Sequence, residues 1–191
     1  MKNKIFLFVL HLLTAALFSF LPACRKHTET PDPLPLATQE GKNTFGCYID
    51  GKPWVAEIDP NILDPSLRKI EASYDEPGVG MYDEYGLSIT AQKVTVKDTI
   101  YEFIIFGIKP IFKEGVVDIF SLEHIGSSIH FDNPIRAYEI DVSLPQMFEI
   151  TNLDTEQNIF SGLFELTIVS KDKSDTMRIT DGRFDIKYQV W

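Results

Sequence analysis

Ile159-Phe160-Ser161-Gly162-Leu163-Phe164-Glu165-Leu166-Thr167-Ile168-Val169-Ser170 and, further on, Arg183-Phe184-Asp185-Ile186-Lys187-Tyr188-Gln189-Val190-Trp191 are the two runs whose reading decides the fold. In the first, Phe160, Phe164, Leu166 and Ile168 share a face. In the second, Phe184, Ile186, Tyr188 and Val190 do. A period of two is the signature of a strand with one buried side. Met177-Arg178-Ile179 leads into the second run, the Lys171–Asp175 segment between the runs is polar, and Asp181-Gly182 marks a bulge or kink. Two long strands joined by a turn follow from these residues.

The same pattern recurs toward the N-terminus. Thr44–Ile49 and Lys52–Val55 flank Asp50-Gly51, and Asp-Gly between apolar runs is the sequence of a type I′ hairpin turn, whose two central residues need φ > 0. Pro53 lacks a ladder donor, which places its strand at an edge. Asp59–Pro65, with two Asp-Pro steps, reads as a loop. Leu67–Tyr74 has strand character. In Tyr85–Val94, Tyr85, Leu87, Ile89 and Ala91 face one side and Ser88, Thr90 and Gln92 the other. Thr99–Ile108 is apolar on both sides and should be central. Ala137–Leu144 alternates again, and short strands fit 115–121, 127–131 and 147–152. No long segment repeats at 3.6 residues. The prediction is an all-β fold, an antiparallel β-sandwich, with a β-barrel as the alternative.

Before this domain lies an address. Lys2 and Lys4 precede an apolar run from Ile5 to Phe20, and no acidic residue occurs before Glu29. A basic segment, an apolar segment shorter than the roughly 20 residues of a membrane span, and Ala23 before the cut describe a signal peptide over residues 1–23. Leu21, Ala23 and Cys24 resemble the lipobox of bacterial lipoproteins, which implies a diacylglyceryl group on Cys24 and cleavage before it. Two or three acyl chains on one residue would anchor stably, since a single chain binds only marginally. Residues 24–43, with Pro31, Pro33 and Pro35, read as a semi-rigid tether, leaving a single β-rich domain over 44–191. This location is the bacterial cell envelope, with the outer membrane as the anchor and the periplasmic face favoured over the cell surface.

Composition bounds the chemistry. Loss of residues 1–23, with two lysines and no acid, takes the net charge from −10 to −12, which argues against a nucleic-acid partner because phosphate neutralisation needs a basic face. With Cys24 acylated, Cys47 is the one remaining thiol; its apolar and aromatic neighbours make it a small core residue rather than a nucleophile. Gly41-Lys42-Asn43-Thr44-Phe45-Gly46-Cys47, then Asp50-Gly51-Lys52-Pro53-Trp54, and the later Ile179-Thr180-Asp181-Gly182-Arg183-Phe184-Asp185 resemble a group of uncharacterised Bacteroidota-type lipoproteins classed as domains of unknown function. That resemblance implies a β-rich envelope domain and supplies no catalytic residue.

Two constellations remain. Tyr74-Asp75-Glu76 is echoed by Tyr82-Asp83-Glu84. Tyrosine faces stack on sugar rings and adjacent carboxylates accept hydroxyl hydrogen bonds or hold a hard cation, although a solvated loop accounts for the same residues. His124, His130 and Asp132 are the weak candidates for a metal, with a spacing that matches no standard zinc signature. The motifs GxSxG, GxxxxGK[ST] and HExxH are absent, and no cofactor is implied. The expectation is a non-enzymatic binding or interaction module for a glycan, small molecule or protein. The alternative is an envelope hydrolase using Asp75, Glu76, Asp83 or Glu84, or a metal at His124 and His130; a structural envelope role is a third reading.

Overall fold

The computed structural model describes residues 32–75, 86–96, 100–108, 114–116, 129–131 and 136–190. They form strands and turns, with no helix among the described residues. In chain order the strands are β1 (Thr44–Ile49), β2 (Lys52–Val55), β3 (Glu57–Ile58), β4 (Ile70–Asp75), β5 (Gly86–Thr95), β6 (Ile100–Ile108), β7 (Gly115–Val116), β8 (Ile129–Phe131), β9 (Arg136–Ile140), β10 (Met147–Asp154), β11 (Ile159–Ser170), β12 (Thr176–Lys187) and β13 (Gln189–Val190). The main path runs β13-β4-β5-β6-β8-β9-β11-β12-β1-β2, with β10 on the other half of the β11 edge. Since β13 continues β12 after the single residue Tyr188, the chain that ends the hairpin returns to the far side of the sheet. The result is an all-β, predominantly antiparallel architecture curled into a half-barrel, in keeping with the sandwich or barrel class.

The β11–β12 hairpin forms as its alternation requires. Phe160, Phe164, Leu166 and Ile168 of β11 are all buried on one face. On β12, strict alternation would put Ile179 and Phe184 on opposite faces. Both are buried, because Thr180 and Asp181 together oppose Glu165 alone and the extra residue resets the phase. Asp181 takes φ +51 at that bulge. A second bulge, between Ile150 and Asn152 of β10, does the same for Phe148, Ile150 and Leu153. The straight strand β11 thus sets the register to which its neighbours adjust.

Across the hairpin, Gly162 pairs with Phe184 and Phe164 with Gly182, so each ring lies over the glycine of the other strand. A Cβ at either glycine would overlap the facing ring. The rings continue into one core. Phe164 meets Phe45 at 5.3 Å and Phe106 at 5.1 Å, and Phe184 meets Phe160 at 5.0 Å and Phe148 at 5.7 Å. Five strands therefore contribute to a single aromatic cluster, in the tilted, stacked and edge-on arrangements that ring quadrupoles favour.

Several sequence expectations hold. Asp50 (φ +48) and Gly51 (φ +74) make the tight turn between β1 and β2, and β2, with Pro53, is an edge strand. Cys47 is fully buried as a free thiol, and burial pushes its pKa up to about 12. β6 lies between β5 and β8.

Two expectations need correction. The strand read over Ala137–Leu144 stops at Ile140, because the Asp141 carboxylate accepts from the Ser143 N–H (3.0 Å) and hydroxyl (2.6 Å) and closes a turn that leaves Val142 and Leu144 exposed. The tether read over 24–43 also ends early. Its residues 32–43 lie on the domain, the compact unit begins at Asp32, and Leu34 is buried. Residues 1–31, including Cys24, lie outside the described residues.

Replacing Gly182 by alanine forces the Phe164 ring from its place in the core. It is expected to lower the stability by about 1–3 kcal/mol, the usual cost of overpacking. Denaturant unfolding checks this: the midpoint should fall with an unchanged slope, and an unshifted midpoint would show that the ring has room to move.

Candidate functional site

The strap formed by residues 32–43 is held chiefly by Asp185 of β12. This carboxylate has no measurable exposure and accepts from the Thr38 hydroxyl (2.5 Å), the backbone N–H groups of Glu40 (3.1 Å), Gly41 (2.7 Å) and Lys42 (3.2 Å), and the Ser161 hydroxyl (2.8 Å). Burial alone would raise its pKa. The Thr38 hydroxyl, the Lys42 and Gly41 amides and the Ser161 hydroxyl outweigh burial and hold the carboxyl below its ordinary range. At the other end of the strap, Asp32 accepts from the Leu34 N–H, the Tyr48 hydroxyl and the Arg183 guanidinium. Pro35 packs where a side chain on Gly46 would stand.

Past the strap, Asn43 takes φ +54, and its side-chain oxygen accepts from the Lys187 N–H at 2.9 Å. Asn43 and Lys187 form one wall of a groove of about 690 Å³. Its floor is the outer face of β4 and β5. Ile70, Ala72 and Tyr74 turn inward against the core, as do Leu87, Ile89 and Ala91, which leaves Glu71, Ser73, Ser88 and Thr90 outside. Register then builds rows: Ser73 lies opposite Ser88 on one side and Gln189 on the other, and Glu71 lies opposite Thr90. Ser66, Arg68 and Lys69 make the second wall. The volume lies within the usual range for small-molecule sites, but hydroxyls, amides and charges outnumber the apolar lining residues Ile70 and Ala72. Such a surface offers paired donors and acceptors to a hydroxyl-rich ligand.

A second groove of about 320 Å³ lies beside Ile49, Pro53, Trp54 and Met177. The indole is only 4% exposed, and its N–H donates to the Glu102 carboxylate at 2.8 Å. With the ring face in the core and its donor engaged, the indole is not free for a ligand, and Asp50, Lys52, Lys93 and Glu102 supply the polar part of this lining.

The residues singled out in the sequence are not assembled into this site. Tyr74 is half-buried, and its ring meets Tyr188 at 5.6 Å, so the aromatic surface expected to stack on a sugar serves the core. Asp75 pairs with Gly86 at the end of the β4–β5 ladder. Glu76, Tyr82, Asp83 and Glu84 lie outside the described residues. The backbone of His130 pairs with Phe103 and Ala137 inside the sheet, while His124 and Asp132 lie outside the described residues. Among the described residues no group of three or more His, Cys, Asp or Glu side chains converges as a metal site would require, and no helix is long and apolar enough to cross a membrane. Ser88 and Thr90 were visible as the polar side of an alternating strand. Gln189 beside Ser73 was not, because the parallel pairing of β13 with β4 joins segments more than a hundred residues apart.

Comparison with known protein families, characterised proteins and solved structures returns no match. The site is therefore read from its own geometry.

Asp185 makes the strap acid-sensitive. Its folded-state pKa lies below the ordinary 3.8, so the unfolded chain binds more protons in that window and stability rises with pH across it. The Asp185 contribution should be complete above the ordinary value and lost as pH falls through the folded one. Thermal melts of the native chain and of Asp185→Asn should differ by about 2 kcal/mol at neutral pH, the scale of hydrogen bonds to a charged group, and converge as the pH falls below the ordinary carboxylate range and through the folded value. A gap that stays constant as the carboxylate is titrated would show that the ionised form is not what holds the strap.

Proposed function

We propose that this chain is a lipid-anchored, non-enzymatic module of the bacterial cell envelope that binds a glycan in the β4–β5 groove. The observation that carries the reading is the hydroxyl and amide array of Ser73, Ser88, Thr90 and Gln189 on the groove floor, set in register by two ladders. Saccharide hydroxyls are both donors and acceptors, and such an array matches them without an apolar cavity. Binding rather than cleavage fits the charges present. Glycoside hydrolysis ordinarily uses two carboxyl groups flanking the bond, and Glu71 is the one carboxylate among the described lining residues.

The anchor follows from the sequence around Cys24, and the outer membrane, periplasmic face, is the location this reading adopts. The strap begins eight positions after Cys24, so in this reading the anchor lies close in sequence to the domain.

Mass spectrometry of the mature chain should show an acylated Cys24 at its N-terminus, and Cys24→Ser should leave the membrane fraction; an unprocessed N-terminus would remove the anchor. For the groove, the full chain in detergent should retain glycans on an array of neutral and acidic saccharides. Ser73→Leu combined with Ser88→Leu should weaken retention about tenfold or more, the scale of one or two lost hydrogen bonds, while the melting temperature holds. Retention of no glycan, or equal retention by the double variant, would overturn this reading.

A further inference from the structure

Resting on that reading, we infer that the glycan is anionic, a saccharide bearing carboxylate or phosphate groups. The chain carries a net charge of −10, yet the groove concentrates the opposite sign. Arg68 and Lys69 stand on one wall and Lys187 on the other, against the single described carboxylate Glu71. Elsewhere on the domain, five described cations face acids, Lys42 with Glu40, Lys93 with Glu57, Lys171 with Glu139, Arg178 with Glu165, and Arg183 with Asp32, while Lys52 and Lys173 stand singly rather than three together. No described carboxylate forms an ion pair with Arg68, Lys69 or Lys187. On an acidic protein, such an island is where an anion finds the least repulsion.

The walls differ in kind. One guanidinium nitrogen of Arg68 donates to the carbonyls of Pro65 and Leu67, which holds its planar fork at the rim. The fork's remaining N–H donors face a ligand with part of the ordering cost already met. The Lys187 main chain is fixed by Asn43 and its strand by Asp185, so the opposite wall is positioned through the strap. An anionic ring seated on the hydroxyl floor meets a cation on either side.

A single-stranded nucleic acid shares the charge but not the chemistry. Such strands bind along grooves where bases stack on aromatic rings, and the described lining of this groove contains no Phe, Tyr, Trp or His.

Isothermal titration of the full chain in detergent separates the cases, using oligogalacturonate for carboxylate, phosphorylated oligomannose for phosphate, and maltohexaose as the neutral saccharide. Either acidic saccharide is expected to bind at least tenfold tighter than the neutral one, and the preference should shrink as salt is raised from about 50 to 300 mM, because screening shortens the reach of exposed charges. Lys69→Gln with Lys187→Gln should remove most of the preference for the acidic saccharides while the melting temperature holds. Equal affinity for acidic and neutral saccharides would overturn the inference and leave the glycan reading standing. Failure of all three to bind would overturn both, and tighter binding of an oligothymidylate than of either acidic saccharide would overturn the assignment to a saccharide.

Discussion

The Asp185 carboxylate is a buried negative charge that forms no ion pair among the described residues, and the strap is arranged to satisfy it. A lone buried carboxylate is costly unless its lone pairs are filled, and here five donors fill them, one from β11 and four from the strap. The successive amides of Glu40, Gly41 and Lys42 turn toward the same anion and form a small backbone nest. Through this group, with Asp32, Leu34 and Pro35 at the other end of the strap, the chain before the first strand becomes part of the fold. From that point Asn43 reaches Lys187 and completes a wall of the groove. A residue with no surface of its own therefore shapes the groove.

The hydrophobic side of the fold depends on a different constraint, the straightness of β11. Its even-numbered residues hold one face for its full length, while β10 and β12 each insert a residue to keep their own apolar side chains on that face. The reciprocal placement of Phe164 over Gly182 and of Phe184 over Gly162 brings the two strands' rings into one layer. Asp185 follows Phe184 directly, so the strand that delivers a ring to the core on one side delivers the carboxylate to the strap on the other.

Much of this was legible in the residues. The period-two runs gave the strands, Asp50-Gly51 gave a hairpin turn, and Asp181-Gly182 gave the bulge. Where the pattern failed, it failed for local polar reasons: Asp141 captures Ser143 and ends a strand whose apolar alternation continues to Leu144. Proline content suggested a free tether through Asn43, whereas a carboxylate 145 positions after Glu40 holds its last residues. Composition cannot foresee a partner so distant. The candidate site was least legible, since Gln189 joins Ser73 and Ser88 only when β13, one residue beyond β12, pairs with β4. The tyrosine and carboxylate echo of the sequence drew attention to residues of which Tyr74 turns inward instead.

Native-state amide hydrogen exchange at neutral pH on the full chain tests most directly whether Asp185 makes the strap part of the domain. The Gly41 and Lys42 amides should be protected to nearly the same degree as the ladder amides of β11 and β12, because they open with the same cooperative unit. Exchange of Gly41 and Lys42 at the rate of an unstructured peptide, with β11 and β12 still protected, would contradict the account.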